Sequence, residues 1–182
     1  MERMIYMKPL VIIAHPNMNE SRFNARLKAE LAKYPDLADV HELYASYPDF
    51  HIDVEKEQKL LEDHDIIVYQ YPLYWYNFTP LLKKYFDDVL TYGWAYGSKG
   101  TALHGKKMAL ATTAGGSAAD YTPEGSEKCT LDDLFAPFRA TANLIGTTVL
   151  PYFAIYGATP DMDDATLDTK AAAYVDYLRN LK

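Results

Sequence analysis

The chain has 182 residues, a net charge of −7, one cysteine, and 49% hydrophobic residues, an ordinary share for a globular protein. The acidic balance excludes a nucleic-acid binder, which needs a basic stripe, and the single cysteine excludes an intramolecular disulfide framework. We expect one domain over residues 1–182, with residues 1–7 as a peripheral extension, in a cytoplasmic protein without a membrane-spanning run.

The first half of the chain alternates apolar runs with amphipathic segments. Residues 9–14 form an apolar run typical of a strand buried on both faces of a parallel sheet, and Ser21 is suited to cap the helix that follows. We predict a second strand at 39–44, a charged and exposed helix within 53–65, and a third, buried strand at 65–72.

The second half of the chain continues the same alternation. We predict helices at 79–93, 130–146 and 167–181, separated by strands at 106–116 and 148–157. Pro137 is expected to kink the middle helix, because proline removes a helical hydrogen bond. Pro151 indicates an edge position for the last strand, because a central strand needs every backbone N–H.

This order of elements predicts an α/β protein with a parallel sheet. Five strands in this length indicate a flavodoxin-like three-layer sandwich, with strand order 2-1-3-4-5 and helices on both faces of the sheet. Ligands in such sheets bind beyond the carboxyl ends of the strands, where the strand order reverses. The loops after the first, third and fourth strands are therefore the candidate site.

The loop after the first strand contains His15 and leads into a helix start at residues 21–24. Backbone N–H groups in a first helical turn are unpaired and carry the positive end of the helix dipole, so they favour a phosphate group. Ser21 and His15 could add hydrogen bonds. A plain helix cap is the alternative interpretation, and the glycine-rich dinucleotide and P-loop motifs are absent.

The loop after the third strand concentrates aromatic side chains. Tyr74, Trp75, Tyr76 and Phe78 lie within five residues, where polar turn residues are expected. So much apolar surface at a sheet edge indicates that another molecule covers it, since exposed apolar patches are costly. Either a planar ligand or a partner subunit would provide that cover.

The loop after the fourth strand is rich in glycine. Gly115 and Gly116 allow a backbone to approach a flat ring closely, and Tyr121 follows as a phenolic donor. Either glycine-rich turn chemistry or a ligand would explain this loop alone. A phosphate seat, an aromatic wall and a glycine platform together predict a flavin mononucleotide (FMN) site, with FAD as the less favoured alternative.

Several of these segments resemble one known family along most of the chain, from about residue 8 to 157. "HP" followed by "SRFN", "YPLYWYNFTPLLKKYFDDVL", "GWAYG", "ALHGKK" and "TTAGG" are similar to the NAD(P)H:quinone oxidoreductases of the flavodoxin-like superfamily. The likeness is strongest to their short bacterial branch, which includes the ancillary oxidoreductases of glutathione-gated potassium-efflux systems.

The resemblance implies a role for particular residues. The flavin phosphate and ribityl chain would be held by His15, Ser21, Arg22, Phe23 and Asn24. The isoalloxazine would be lined by Leu73, Tyr74, Trp75 and Tyr76, and its pyrimidine side by Thr113, Ala114, Gly115 and Gly116. Tyr121 would face the hydride-transfer site as the catalytic residue.

The resemblance also implies an activity and partners. It implies hydride transfer from NAD(P)H through FMN to quinones in a homodimer, with the loop "GWAYG" completing the partner's pocket. The choice between NADH and NADPH stays open. A regulatory subunit of a potassium-efflux system, at the inner face of the membrane through its partner, and a flavodoxin-type electron carrier are the alternatives.

Two negative features complete the prediction. The larger members of the family carry a histidine shortly after the tyrosine, whereas residues 122–129 contain none and Glu127 lies near that place. The source of protons is therefore open. The other histidines lack the spacing of a metal site, so no metal is expected.

Overall fold

The computed structural model describes residues 8–181, so the extension predicted for residues 1–7 lies outside the described part. One parallel sheet forms the centre of the molecule. Its strands are β1 (Leu10–Ile13), β2 (Asp39–Glu42), β3 (Ile66–Pro72), β4 (Lys107–Thr113), β5 (Thr148–Val149) and β6 (Phe153–Ile155). The order is β2-β1-β3-β4, and both β5 and β6 pair with β4. The predicted strand order 2-1-3-4-5 is therefore confirmed.

Helices cover both faces of the sheet. They are α1 (Phe23–Leu31), α2 (Leu43–Ser46), α3 (Val54–Glu62), α4 (Pro80–Val89), α5 (Leu131–Leu134), α6 (Ala136–Leu144) and α7 (Asp164–Asn180). Helices α1 and α7 pack on one face, and the other five contribute to the core on the opposite face. Within residues 8–181, no helix is both long and apolar enough to cross a bilayer.

Strand β1 shows why the sheet is buried on both sides. Side chains alternate across a strand, so Leu10 and Ile12 pack into one core while Val11 and Ile13 pack into the other. The continuous apolar run in the sequence reflects this two-sided burial.

The second strand is shorter than predicted. It ends at Glu42, and the residues that follow form the single helical turn α2 instead of continuing to position 44. Leu43 is fully buried in the core. The hydroxyl of Tyr44 accepts a hydrogen bond from the N–H of Leu81, 3.0 Å away, at the start of α4. Tertiary contacts with α4 therefore accompany the helical conformation here.

The fifth predicted strand is divided in two. Pro151 lies between β5 and β6, where its missing N–H and fixed φ interrupt the ladder. Among the described strands, β5 and β6 pair only with β4, so the predicted edge position is correct.

Proline also divides the helix predicted at 130–146. Thr130 and Asp133 form a reciprocal capping box around α5, which ends before Phe135. Pro137 lies in the first turn of α6, where a proline needs no helical acceptor. The predicted kink is thus a break at the single residue Phe135, between α5 and α6.

The start of α4 fixes the loop after β1. The hydroxyl of Thr79 does not cap its own helix but donates to the carbonyl oxygen of Ala14, 3.1 Å away. Thr79 is buried, so this bond is shielded from water. It holds the residue preceding His15 against the start of α4.

Candidate functional site

The carboxyl ends of β1, β3 and β4 lie side by side, and two adjoining cavities open above them. The first, the α1 cavity, has a volume of about 330 Å³, and the second, the tyrosine cavity, about 220 Å³. They share Leu73 and Gly115 in their walls. Every residue predicted for the site lines one of the two cavities, with the exception of Ala114.

Each cavity has a definite wall. The α1 cavity is lined by His15, Glu20, Ser21, Arg22, Phe23, Asn24, Pro72, Leu73, Tyr74, Thr113, Gly115 and Ala158. The tyrosine cavity is lined by Leu73, Trp75, Tyr76, Gly115, Gly116 and Tyr121. Glu20, Pro72 and Ala158 were not predicted. Ala158 lies in the segment after β6, one residue beyond the strand predicted at 148–157.

Two other cavities, of about 330 and 400 Å³, lie away from this edge. They are lined largely by apolar and aromatic side chains of α4, α6 and the break between β5 and β6. Neither lies at the boundary of β1 and β3, where the strand order reverses and where ligands of such sheets bind.

The start of α1 offers unpaired donors. The Ser21 hydroxyl oxygen accepts a hydrogen bond from the N–H of Asn24, 3.1 Å away. Among residues 8–181, the N–H groups of Arg22 and Phe23 have no acceptor. Two free N–H groups at the positive end of a nine-residue helix favour an anion in the α1 cavity.

His15 contributes a further donor to this cavity. Its Nδ1 accepts a hydrogen bond from the N–H of Asn17 at 3.1 Å, and burial lowers the pKa of the imidazole. The ring is therefore neutral at pH 7, and the hydrogen-bond pattern assigns its proton to Nε2. His15 thus offers the cavity an N–H donor and no positive charge.

Asn24 connects the helix to the sheet. Its Nδ2 donates to Thr113 Oγ1 at 3.3 Å, and Gln70 Nε2 donates to its Oδ1 at 3.2 Å. Asn24 and Gln70 are both buried, so the network is shielded from water. The Asn24 amide therefore holds α1 against β3 and β4. Gln70 was missed, although a lone amide inside an otherwise apolar strand is a visible signal.

The loop after β3 is a strained aromatic turn. Tyr74 and Asn77 exchange two backbone hydrogen bonds of 3.0 Å, and both central residues, Trp75 and Tyr76, have positive φ (46° and 63°). Turns of this kind favour asparagine and glycine, and each left-handed aromatic residue costs about 1–2 kcal/mol. Trp75 is also 93% exposed. Strain and exposure together indicate a binding surface.

The loop after β4 leaves space beside Gly115. A Cβ atom placed on Gly115 would meet no atom within 4 Å, so it would project into the opening shared by the cavities. Ala114 lines neither cavity. Its N–H donates to Ile155 at 2.9 Å, and its carbonyl oxygen accepts from Ala158 at 2.9 Å. Ala114 therefore holds the loop in position.

The tyrosine cavity contains two protonated phenols. Burial, together with the charge of Glu127, raises the pKa of Tyr121. A hydrogen bond to Glu127 raises the pKa of Tyr76. Both hydroxyl groups are donors at neutral pH. Glu127 thus belongs to this side of the site, although it lines neither cavity.

Known proteins with similar sequences and structures agree with this architecture. A family described by its flavodoxin-like fold matches residues 7–178. YrkL of Bacillus subtilis (strain 168), named as an uncharacterized NAD(P)H oxidoreductase, is 47% identical over 173 residues, which are 95% of this chain and 98% of the relative.

Two solved structures are also similar to this chain. General stress protein 14 of Treponema denticola, solved in complex with FMN, is 43% identical with a TM-score of 0.91, covering 96% of this chain and 99% of that one. A protein from P. pentosaceus described as an NADPH-quinone reductase is 30% identical with a TM-score of 0.86, covering 97% and 100%.

Proposed function

This chain belongs to the family with the flavodoxin-like fold, and we propose that it is an FMN-dependent NAD(P)H:quinone oxidoreductase. One observation carries the proposal: free N–H donors, a strained aromatic turn and an open glycine meet around two adjoining cavities. The names of relatives, an NAD(P)H oxidoreductase, an FMN complex and an NADPH-quinone reductase, support the same function.

The residues present fit the phosphate end of FMN. The N–H groups of Arg22 and Phe23, the Ser21 hydroxyl and the His15 Nε2–H supply donors for a phosphate in the α1 cavity. Asn24 would support them from behind, because its amide is bonded to the sheet.

The ring end of the cofactor fits the remaining walls. The isoalloxazine would lie between the aromatic turn on one side and the loop after β4 on the other. Its proposed contacts are Leu73, Tyr74, Trp75, Tyr76, Thr113, Gly115 and Gly116, with Ala114 holding the loop. The free space at Gly115 supports this placement, since a flat ring needs a wall without a side chain.

Bound FMN would supply two-electron chemistry: NAD(P)H and one proton reduce it, and a quinone is then reduced to the hydroquinone. The chain would position the two planar substrates in turn in the tyrosine cavity. Tyr121, which is protonated, would donate a hydrogen bond to the oxygen that gains negative charge. The single O–H of Tyr76 is already bonded to Glu127, so Tyr76 would contribute its ring to the cavity wall. Burial and the charge of Glu127 both raise the pKa of Tyr121 and so favour its protonated form.

The decisive experiment is an absorbance spectrum of the purified protein, followed by anaerobic addition of NADPH and then NADH. We expect a flavin band that either donor bleaches rapidly and that an added quinone restores. A protein that neither retains nor takes up FMN would contradict the proposal, and reduction without rapid quinone turnover would favour a one-electron carrier.

Replacing Tyr121 with phenylalanine is expected to lower quinone turnover by about 100-fold, because a positioned proton donor contributes about that much or more. FMN affinity should not change. Tyr156→Phe is the matched control, since its ring packs 5.9 Å from Tyr121 without lining either cavity. Unchanged turnover in Tyr121→Phe would exclude the proposed role.

The pH profile of quinone turnover tests the same residue. Because burial raises the pKa of Tyr121, turnover should not fall through deprotonation of this phenol below about pH 10.

A homodimer is part of this proposal. Trp75 and Tyr92 are 93% and 72% exposed, and a second subunit carrying its own 92–97 loop would cover both. Sedimentation should give a dimer, and a monomer with full turnover would contradict the proposed homodimer.

A membrane efflux partner and a cytoplasmic location stay predictions. Co-purification with a membrane protein would test the first, and cell fractionation would test the second.

A further inference from the structure

Arg22 lines the α1 cavity, and its guanidinium is bonded to the segment between β6 and α7. Its Nη1 donates to the carbonyl oxygens of Thr159 at 3.4 Å and Pro160 at 3.2 Å. Its Nη2 donates to the carbonyl oxygen of Met162 and, at 2.8 Å, to Asp164 Oδ1. One side chain at the α1 N-terminus therefore binds three carbonyl groups of this segment and the first residue of α7.

These contacts use most of the donors that Arg22 has. A guanidinium carries five N–H groups, two on each Nη and one on Nε. The four acceptors match the four Nη hydrogens. Of the five donors of Arg22, the Nε–H alone has no acceptor within residues 8–181. Asp164 also offsets the positive charge. Bidentate binding of a phosphate by this side chain would break part of the arrangement.

The segment that Arg22 holds contributes one residue to the wall of the site. Ala158 lines the α1 cavity, and its N–H donates to the carbonyl oxygen of Ala114 at 2.9 Å. The N–H of Gly157 donates to the carbonyl oxygen of Gly116 at 2.8 Å. The loop after β4 thus fixes one end of the segment, and Arg22 fixes the other.

Arg26 provides an internal comparison one helical turn further along. Its Nε donates to Asp168 Oδ1 at 2.7 Å, and its Nη1 donates to Glu30 Oε2 at 2.7 Å. The Arg26–Asp168 and Arg22–Asp164 pairs join the same two helices. Of the two, only Arg22 also binds the residues that follow the wall residue Ala158, so the two arginines separate helix pairing from support of the wall.

We propose that Arg22 is a positioning residue, which holds residues 158–162 against the flavin site without binding the flavin phosphate through its guanidinium. The inference rests on the proposed function and deepens it. It predicts that loss of the side chain weakens every flavin that uses the wall, whether or not the flavin carries a phosphate.

The test compares two flavins and two variants of the full-length protein. In Arg22→Met, the dissociation constants of both FMN and riboflavin should rise by about 5- to 30-fold, since disorder of a few wall residues must be reversed on binding. Their ratio should stay within about twofold of the original value. Amide exchange at residues 157–162 should accelerate about tenfold or more in the flavin-free protein.

Arg26→Met is the matched control and should leave both dissociation constants and the exchange at residues 157–162 unchanged. Weaker FMN binding with unchanged riboflavin binding would overturn the proposal, because it would identify a phosphate ligand. Unchanged exchange at the segment, or no loss of affinity for either flavin, would also overturn it. If the unaltered chain binds neither flavin, the proposed function fails, while the exchange comparison still decides whether Arg22 holds the segment.

Discussion

Replacing Gly115 with valine is expected to weaken FMN binding by about 100-fold in a protein that remains folded. Gly115 belongs to both cavity walls, and an added Cβ would meet no protein atom within 4 Å. Its φ is outside the left-handed region, so a side chain causes no backbone strain there. The new isopropyl group would instead occupy the opening between the cavities.

The expected loss of affinity follows from the stiffness of the ligand. Overpacking costs about 1–3 kcal/mol where neighbours can move, which corresponds to about 5- to 150-fold in affinity. A rigid planar ring cannot repack, so we expect the FMN dissociation constant to rise by about 100-fold. Gly115→Ala should show a smaller loss, and the thermal midpoint of the flavin-free protein should change little in both variants.

Ala118→Val is the matched control for this substitution. Ala118 is exposed in the same loop and lines neither cavity, so its enlargement should leave FMN affinity unchanged. If Gly115→Val bound FMN as tightly as the original protein, the ring could not lie against this loop. The placement of the cofactor, although not the fold, would then be wrong.

The sequence predicted the parts of this site that depend on strand ends. His15, Trp75 and Gly115 follow three runs of strand-like residues, and parallel strands bring their carboxyl ends to one edge. Loop composition then indicated what each loop offers. No long-range contact had to be known for these predictions.

The sequence could not reveal which groups are already bonded within the protein. Arg22 and Asn24 stand among the residues predicted to bind a phosphate, but one binds a segment about 140 positions away and the other binds β3 and β4. The backbone groups of Ala114 are likewise already bonded within the protein, to β6 and to Ala158. Such partners come from tertiary packing, which local patterns do not encode.

A different signal was present and overlooked in α3. The helix was predicted to be charged and exposed, but Glu57 is completely buried. Glu57 stands four residues before the buried Leu61, and positions four apart share one face of a helix. The prediction followed the charge of the side chains in α3. The position of a residue along the helix, however, decides whether its side chain faces the core.

Replacing Glu57 with alanine is expected to cause a large loss of stability. The hydroxyl of Tyr47 donates to Glu57 Oε1 at 2.6 Å, and His41 Nε2 lies 3.0 Å from the same oxygen. Removing one member of a buried charged cluster costs about 3–5 kcal/mol, because its partners stay buried and unpaired. For a chain of this size, the thermal midpoint should fall by roughly 6–20 °C.

Glu55→Ala is the control on the same helix. Glu55 is exposed, so its removal should change the free energy of unfolding by less than about 0.5 kcal/mol. Glu57 contacts neither cavity, so flavin affinity of the folded Glu57→Ala protein should match that of the original. This result would be the reverse of that expected for Gly115→Val, which loses flavin but keeps its fold.

The same carboxylate should set part of the acid limit of stability. Burial alone would raise the pKa of Glu57, but His41 and Tyr47 outweigh it and hold the pKa below its ordinary value. A lowered pKa in the folded state contributes stability that is present above the unfolded pKa of about 4.3 and is lost as pH falls through the folded pKa. Glu57→Gln should therefore be less stable at pH 7 and show a shallower decline in the free energy of unfolding below about pH 4.5. An acid decline as steep as that of the unaltered chain would mean that Glu57 is not charged in the folded protein.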